Sequence, residues 1–292
     1  MFLRLDRVRF STSSRVVHGG GAGEDLLRAR RTLRILFIGD IVGSPGREIV
    51  ANRLADVVEA RQVDLVIANG ENAASGFGIT PRLVEELLAT GIEVLTGGNH
   101  IWDRKEILDY IPGQPRLLRP ANFPETSPGS GLYNGIARNS VPYAVVNLQG
   151  RVFMASNDCP FRAADREIAR IPTTTRVILV DMHAETTSEK EAMGWYLDGR
   201  VSAVLGTHTH VATADEQILP GGTAYITDAG MTGPHNGVIG MEKTGILRRF
   251  LEGLPVRFEV APGDVQMNTV LLEVDEATGR SLAIERLRFR AD

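Results

Sequence analysis

Five short apolar runs are each followed by a polar group able to bind metal or move protons: Asp40, Glu71 with Asn72, Asn99 with His100, His183, and His208 with His210. In an open α/β sheet, ligands bind in the crevice beyond the carboxyl ends of the strands, so groups remote in sequence can converge there. Carboxylate, amide oxygen and imidazole together are the donors of a metal centre. The sharpest local signal is Gly206-Thr207-His208-Thr209-His210, where two histidines flank one residue directly after a buried-strand pattern. Their ring nitrogens can aim at one point.

Each of the other groups has an ordinary alternative. Asp40 lies in a glycine-rich turn with Gly39, Gly43 and Gly46, which could cradle a phosphate or let the carboxylate cap a helix. Neither the dinucleotide nor the P-loop spacing is present. Asn69-Gly70-Glu71-Asn72 reads either as an exposed turn or as a glutamate able to bridge two cations about 3.5–4 Å apart. Asn99 offers a neutral oxygen and His100 a group that exchanges protons near neutral pH, although both also occur in plain turns. Asp181 either orients His183 or is a surface charge. Four of the six histidines occupy such strand ends. His18 lies in the N-terminal leader, and His235 follows the Gly230–Pro234 loop with no role derivable from the pattern.

The elements that must position these groups follow a βαβ rhythm. Leu33–Ile38 reads as a buried strand ending at Gly39-Asp40, and Ser44-Pro45 opens a helix with Val50, Leu54, Val57 and Val58 at helical spacing. Val63–Ala68 is the second strand. Thr80-Pro81 then opens a helix with Leu83, Val84, Leu87 and Leu88 on one face, Gly91 closes it, and Ile92–Thr96 is the third strand. Asp40, Glu71 and Asn99 lie 31 and 28 residues apart, the interval of successive βαβ units of about 30 residues. From Pro112 to Gly150 the chain reads as loops and hairpins over the sheet, with strand-like pieces at Gly131–Ala137 and Tyr143–Leu148. Val177–Val180 and Val201–Leu205 resume the buried pattern around a helix whose Ser188 and Glu191 match a capping box. Thr223–Ile226, Val256–Val260, Thr269–Val274 and Leu282–Leu287 predict a second sheet packed on the first within one domain.

Composition narrows the chemistry. No apolar run approaches the roughly 18 residues of a membrane span, and no secretory signal pattern is present, so a cytoplasmic location is expected. One cysteine, Cys159, excludes an internal disulfide framework and a thiolate-rich metal site. The net charge is −4, yet the first 31 residues hold seven arginines against Asp6, Glu24 and Asp25. The remaining body is therefore acidic, and stable nucleic-acid binding is not expected of it. The leader could be a transit peptide, a nucleic-acid arm or a disordered extension, the last being the ordinary reading.

The order GD, GEN, GNH, H, GTHTH resembles the calcineurin-like metallophosphoesterases, most closely their YmdB-like branch. The likeness spans residues 33–288 and rests on ILFIGDIVGSPGR, NGENAASGFGIT, GGNHIWD, LRPANFP, VDMHAE, GTHTHV and DAGMTGP. No histidine stands two residues after Asp40, and Glu71 with Asn72 replaces the broad superfamily's bridging aspartate. Both departures are features of the YmdB-like branch.

The resemblance implies a four-layer α-β-β-α sandwich of two mixed sheets over residues 33–292, preceded by an extension over 1–32. It implies a dinuclear phosphodiesterase for 2′,3′-cyclic nucleotides, a small anionic diester as substrate, and a tendency to form homo-oligomers. Carried over by residue, Asp40, Glu71 and His210 hold one metal with help from Asn72, and Glu71, Asn99, His183 and His208 hold the other. Two divalent ions are expected, Mn or Fe ahead of Mg or Zn. A hydroxide between them would attack phosphorus while His100 protonates the leaving oxygen. A non-catalytic metal- and nucleotide-binding regulator and a phosphomonoesterase are the alternative readings.

Overall fold

The computed structural model describes residues 15–17 and 32–291. The first half runs β1 (Arg15–Val17), β2 (Thr32–Ile38), β3 (Asp40–Ile41), α1 (Gly43–Arg61), β4 (Leu65–Asn69), α2 (Pro81–Ala89), β5 (Val94–Thr96), α3 (Ile107–Tyr110) and β6 (Leu117–Leu118). The middle contains β7 (Leu132–Ile136), β8 (Pro142–Gln149), α4 (Pro160–Ala169), β9 (Val177–His183), α5 (Thr187–Leu197) and β10 (Ala203–Thr207). After β11 (Gln217–Ile218), β12 (Ala224–Ile226) and β13 (Met231–Pro234) come α6 (Lys243–Glu252), β14 (Val265–Asp275) and β15 (Ser281–Arg290). Of the expected extension over 1–32, β1 pairs antiparallel with β15 and Thr32 opens β2. Its remaining residues, His18 among them, lie outside the described residues.

Two mixed sheets stack face to face. The first has the order β1-β15-β14-β2-β4-β5-β6, with β13 pairing β14 and β3 pairing β13; the second has the order β11-β12-β10-β9-β8-β7. Alternation along β2 explains the layering. Leu36 and Ile38 face α1 and α2, joining Val50, Leu54, Leu83 and Leu87 in one cluster. Leu33, Ile35 and Phe37 face the second sheet, joining Val145, Leu179, Leu205 and Ile226 in the central layer. On the far side, Val146, Val180 and Met182 pack on Ala163, Met193 and Leu197 of α4 and α5. The result is the expected four-layer α-β-β-α sandwich. Each fully buried Leu, Ile, Val or Phe contributes about 1.5–3 kcal/mol relative to its exposed state. Strands covered on both faces read as unbroken apolar runs, which is why the buried strands stand out in the sequence.

Several local expectations need correction. The second sheet is built from residues 132–226, and of the four segments expected to form it, only 223–226 joins it. β14 and β15 extend the first sheet instead, with β14 antiparallel to β2 in a register pairing Leu272 with Ile35. Residues 112–150 are likewise more than covering loops, because β8 lies parallel to β9 with seven of its eight residues buried. Val256–Val260 alternates in burial without joining a ladder, since one side of it packs on the Phe77 and Met241 cluster while only Val260 makes a bridge. Ser44 does not cap α1, whose Gly43 N–H instead donates to Asn72 O at 3.0 Å. Ser188 and Glu191 both lie inside α5, which starts at Thr187, so no capping box forms. Thr80 does cap α2, accepting from the Leu83 N–H with Pro81 in the first turn. Among the described residues, no helix is long and apolar enough to cross a membrane.

Candidate metal centre

Parallel strands deliver the candidate residues to one edge. In the first sheet β2, β4 and β5 run side by side, placing Asp40, Glu71 and Asn99 just past their carboxyl ends. In the second, β9 and β10 align His183 with Thr207 and so bring His183, His208 and His210 to the same edge. Asp40 is fixed by a pairing the sequence does not advertise: β3 lies parallel to β13, with Met231 opposite Asp40. Gly39 makes this possible, because a Cβ there would lie 1.9 Å from Gly230 O.

All seven expected ligands meet. Glu71 Oε1 is 3.1 Å from His183 Nε2 and 3.1 Å from the Asn72 amide nitrogen, which also lies 3.2 Å from His210 Nε2. Asn99 Oδ1 and His208 Nδ1 stand 2.9 and 3.1 Å from His183 Nε2. The ligand atoms of Glu71, His183 and His208 lie within 4.8 Å of one another. His210 Nε2 is 3.9 Å from Asp40 Oδ1. Gly98 permits this crowding: a Cβ there would come within 2.3 Å of both Glu71 Oε2 and His183 Nε2.

The surroundings orient the rings. His183 Nδ1 donates to Thr207 Oγ1 at 2.9 Å, and that hydroxyl donates to buried Asp181 at 2.6 Å, so Nε2 is the ring nitrogen that faces the cluster. Asp181 therefore reaches His183 through Thr207. His210 Nδ1 donates to Ile239 O at 2.9 Å, which likewise frees its Nε2. Such hydrogen bonds are how metal-binding imidazoles are usually held. His208 and His210 both have positive φ, +95° and +66°, a conformation costing of order 1–3 kcal/mol each. Thr209 between them is pinned to Asp228 Oδ2 through its N–H and hydroxyl at 3.1 and 2.6 Å. Asp228 is held in turn by Lys190.

The electrostatics favour an added cation. Burial pushes the Asp40 carboxyl up, against the pull of His210 and His183. Burial resists ionisation of Glu71 too, but His183 and His100 outweigh it and hold that carboxyl at about 2. Burial disfavours charge on His183, yet Glu71, Asp40 and Asp181 overcome it and lift the imidazole to about 9. Burial and the nearby His183 depress His208 to about 3, and burial raises Asp181 to about 6. Asp40 Oδ1 and Asn72 Oδ1 are buried oxygens without a hydrogen-bond partner among the described residues. An unsatisfied buried acceptor costs about 1–3 kcal/mol, so this oxygen- and imidazole-rich donor set fits divalent cations.

His100 stands at the rim. Its N–H donates to Glu71 Oε2 at 3.0 Å, and its Nδ1 pairs with Asp103 Oδ2 at 2.8 Å. Asp103 was missed in the sequence, although its position three residues after His100 within GGNHIWD was a usable signal. Asp228, Lys190 and Thr207 were missed as well. His235 lies apart, its Nε2 3.2 Å from the Asn268 amide nitrogen and its Nδ1 3.0 Å from Gly233 O.

The YmdB-like protein family matches residues 36–287. The chain belongs to that family, a branch of the calcineurin-like phosphoesterases. It is 50% identical over 260 residues to the 2′,3′-cyclic-nucleotide 2′-phosphodiesterase of Bacillus subtilis, covering 89% of this chain and 98% of that protein. A crystal structure of a hypothetical protein from Thermus thermophilus superposes with a TM-score of 0.84 at 42% identity, over 89% of this chain and 100% of that one. A Mycoplasma pneumoniae crystal structure described as a novel phosphatase gives the same TM-score of 0.84 at 35% identity, over 90% and 95%.

Proposed function

We propose that this YmdB-like chain is a dinuclear metal-dependent phosphoric diester hydrolase acting on 2′,3′-cyclic nucleotides. Glu71 Oε1 carries the reading, since it lies between the Asn72 amide and His183 Nε2 at 3.1 Å from each. Asp40, Glu71, Asn72 and His210 would hold one ion, and Glu71, Asn99, His183 and His208 the other, with Mn or Fe preferred. Two bound cations supply Lewis acidity toward the phosphoryl oxygens and a nucleophile at neutral pH.

The chain's own part is orientation and proton transfer. Asp103 holds His100 Nδ1, so Nε2 is the ring nitrogen left for the cavity. As water opens the 2′ P–O bond, His100 delivers a proton to the departing 2′ oxygen and the product is a 3′-nucleotide. The 50%-identical Bacillus relative is a diesterase of this kind. A panel of 2′,3′-cyclic nucleotides, bis-p-nitrophenyl phosphate and a phosphomonoester, run on Mn- and Fe-loaded protein, tests the reading. Diester turnover well above monoester turnover supports it; monoester preference or inert loaded protein contradicts it.

A further inference from the structure

The cavity over the metal ligands has a second, apolar half. Its volume is about 540 Å³, within the usual range of small-molecule pockets, and it joins Glu71, Asn72 and His210 to Phe77, Phe258, Phe250 and Arg249. A phosphate bound among the ligands would leave that half empty. The aromatic residues form a file leading away from the proton donor. The Phe77 ring stands 5.0 Å from the His100 ring in an edge-on contact. Phe258 stacks beyond it at 6.2 Å and 27°, and the Arg249 guanidinium covers Phe258 at 5.0 Å. Next to Arg249, Phe250 is 80% exposed. Exposed apolar surface continuous with a cavity wall marks a ligand-binding groove or a partner-binding face.

Building on the cyclic-diesterase reading, we propose that Phe77, Phe258, Phe250 and Arg249 form the nucleobase subsite. The ribose phosphate sits on the ligand cluster, and the base lies against the aromatic file. Of the side chains lining the apolar half, Arg249 alone has polar hydrogens, and a guanidinium only donates. Every nucleobase carries an acceptor and a π face. The subsite therefore grips purines and pyrimidines alike, and selects nucleoside cyclic phosphates over cyclic diesters that lack a base.

The test compares kcat/KM for 2′,3′-cyclic AMP and 2′,3′-cyclic CMP with that for glycerol 1,2-cyclic phosphate, a five-membered cyclic diester without a base. It uses metal-loaded wild type, Phe258→Ala, Phe258→Tyr and Phe250→Ala, each checked for metal content and circular dichroism. Base–aromatic stacking predicts that the nucleotide-to-glycerol ratio falls about tenfold in Phe258→Ala, through KM, and is retained in Phe258→Tyr. Phe250→Ala, which removes an exposed ring outside the core, lowers the ratio in the same direction. An unchanged ratio in both alanine variants overturns the proposal. So does altered sedimentation of Phe250→Ala at an unchanged ratio, which would assign the face to a second copy of the chain.

If wild type turns over neither kind of diester, the reading of function fails separately. Calorimetry with adenosine 3′-monophosphate against inorganic phosphate then decides the subsite. Tighter nucleotide binding that Phe258→Ala abolishes supports it, and equal binding of the two overturns it.

Discussion

Lys190 Nζ lies 2.7 Å from Asp228 Oδ2, and the two side chains are 1% and 0% exposed. The same carboxylate oxygen receives the Thr209 N–H and hydroxyl, so a buried ion pair anchors the loop that holds both histidines in left-handed backbone. Removing one member of such a pair strands a buried charge. Lys190→Met should therefore cost about 3–5 kcal/mol in urea unfolding. A loss below about 1 kcal/mol would mean that the loop is held by other contacts.

Thr207 connects His183 to Asp181, donating to the carboxylate while it accepts from the imidazole. Thr207→Val keeps the shape and removes both bonds. Losing a group that orients a metal-binding histidine typically lowers metal affinity about 10–100-fold. Titration with Mn²⁺ should show this weakening, and an unchanged affinity would reduce Thr207 to a packing residue.

Much of this centre was legible because parallel strands place their last residues on one edge, so Asp40, Glu71, Asn99, His183, His208 and His210 could be grouped from strand ends alone. The βαβ rhythm and the Thr80-Pro81 helix start are local signals and read directly. Contacts between distant segments did not. Asp40 depends on β13, far along the chain, and the pairing of β14 with β2 leaves no periodic trace in either segment. Lys190 carries no signal in the sequence, because spacing alone cannot place Asp228 beneath it. The Phe77 and Phe258 stack was invisible for the same reason, since Val256–Val260 alternates like a strand but packs as a covering segment.

His100 and Asp103 form a separable pair. His100→Ala should lower kcat by about 10²–10⁴-fold while both ions remain bound. Asp103→Asn leaves the imidazole in place but changes what Nδ1 faces, so it should lower kcat less than His100→Ala does. Full turnover by metal-replete His100→Ala would remove His100 from the chemistry.

Metal-free protein should show a bounded pH range of stability. His183 binds its proton more tightly folded, at about 9 against 6.5, because Glu71, Asp40 and Asp181 outweigh its burial. Its contribution is complete below pH 6.5 and is lost as pH rises through 9. His208, depressed to about 3 by burial and His183, is protonated first in the unfolded chain, so stability falls as pH drops from 6.5 toward 3. Glu71, held near 2 because His183 and His100 outweigh its burial, contributes above 4.5 and loses this as pH falls through 2. Asp181, raised to about 6 by burial, opposes these in part: its contribution is complete below 3.8 and lost through 6. The melting temperature of chelator-treated protein should decline as pH rises from 6.5 to 9, and His183→Gln should flatten that decline. An identical alkaline limb in the variant would contradict the assignment.

The central claim is that Glu71 joins two metal sites in a diesterase. Elemental analysis of wild type and Glu71→Gln, paired with 2′,3′-cyclic nucleotide turnover on the same samples, tests it most directly. The account predicts two ions per chain and 3′-nucleotide product for wild type, with loss of metal and turnover together in Glu71→Gln. Two ions retained by the variant, or a fully loaded wild type that leaves the cyclic diester intact, would contradict it.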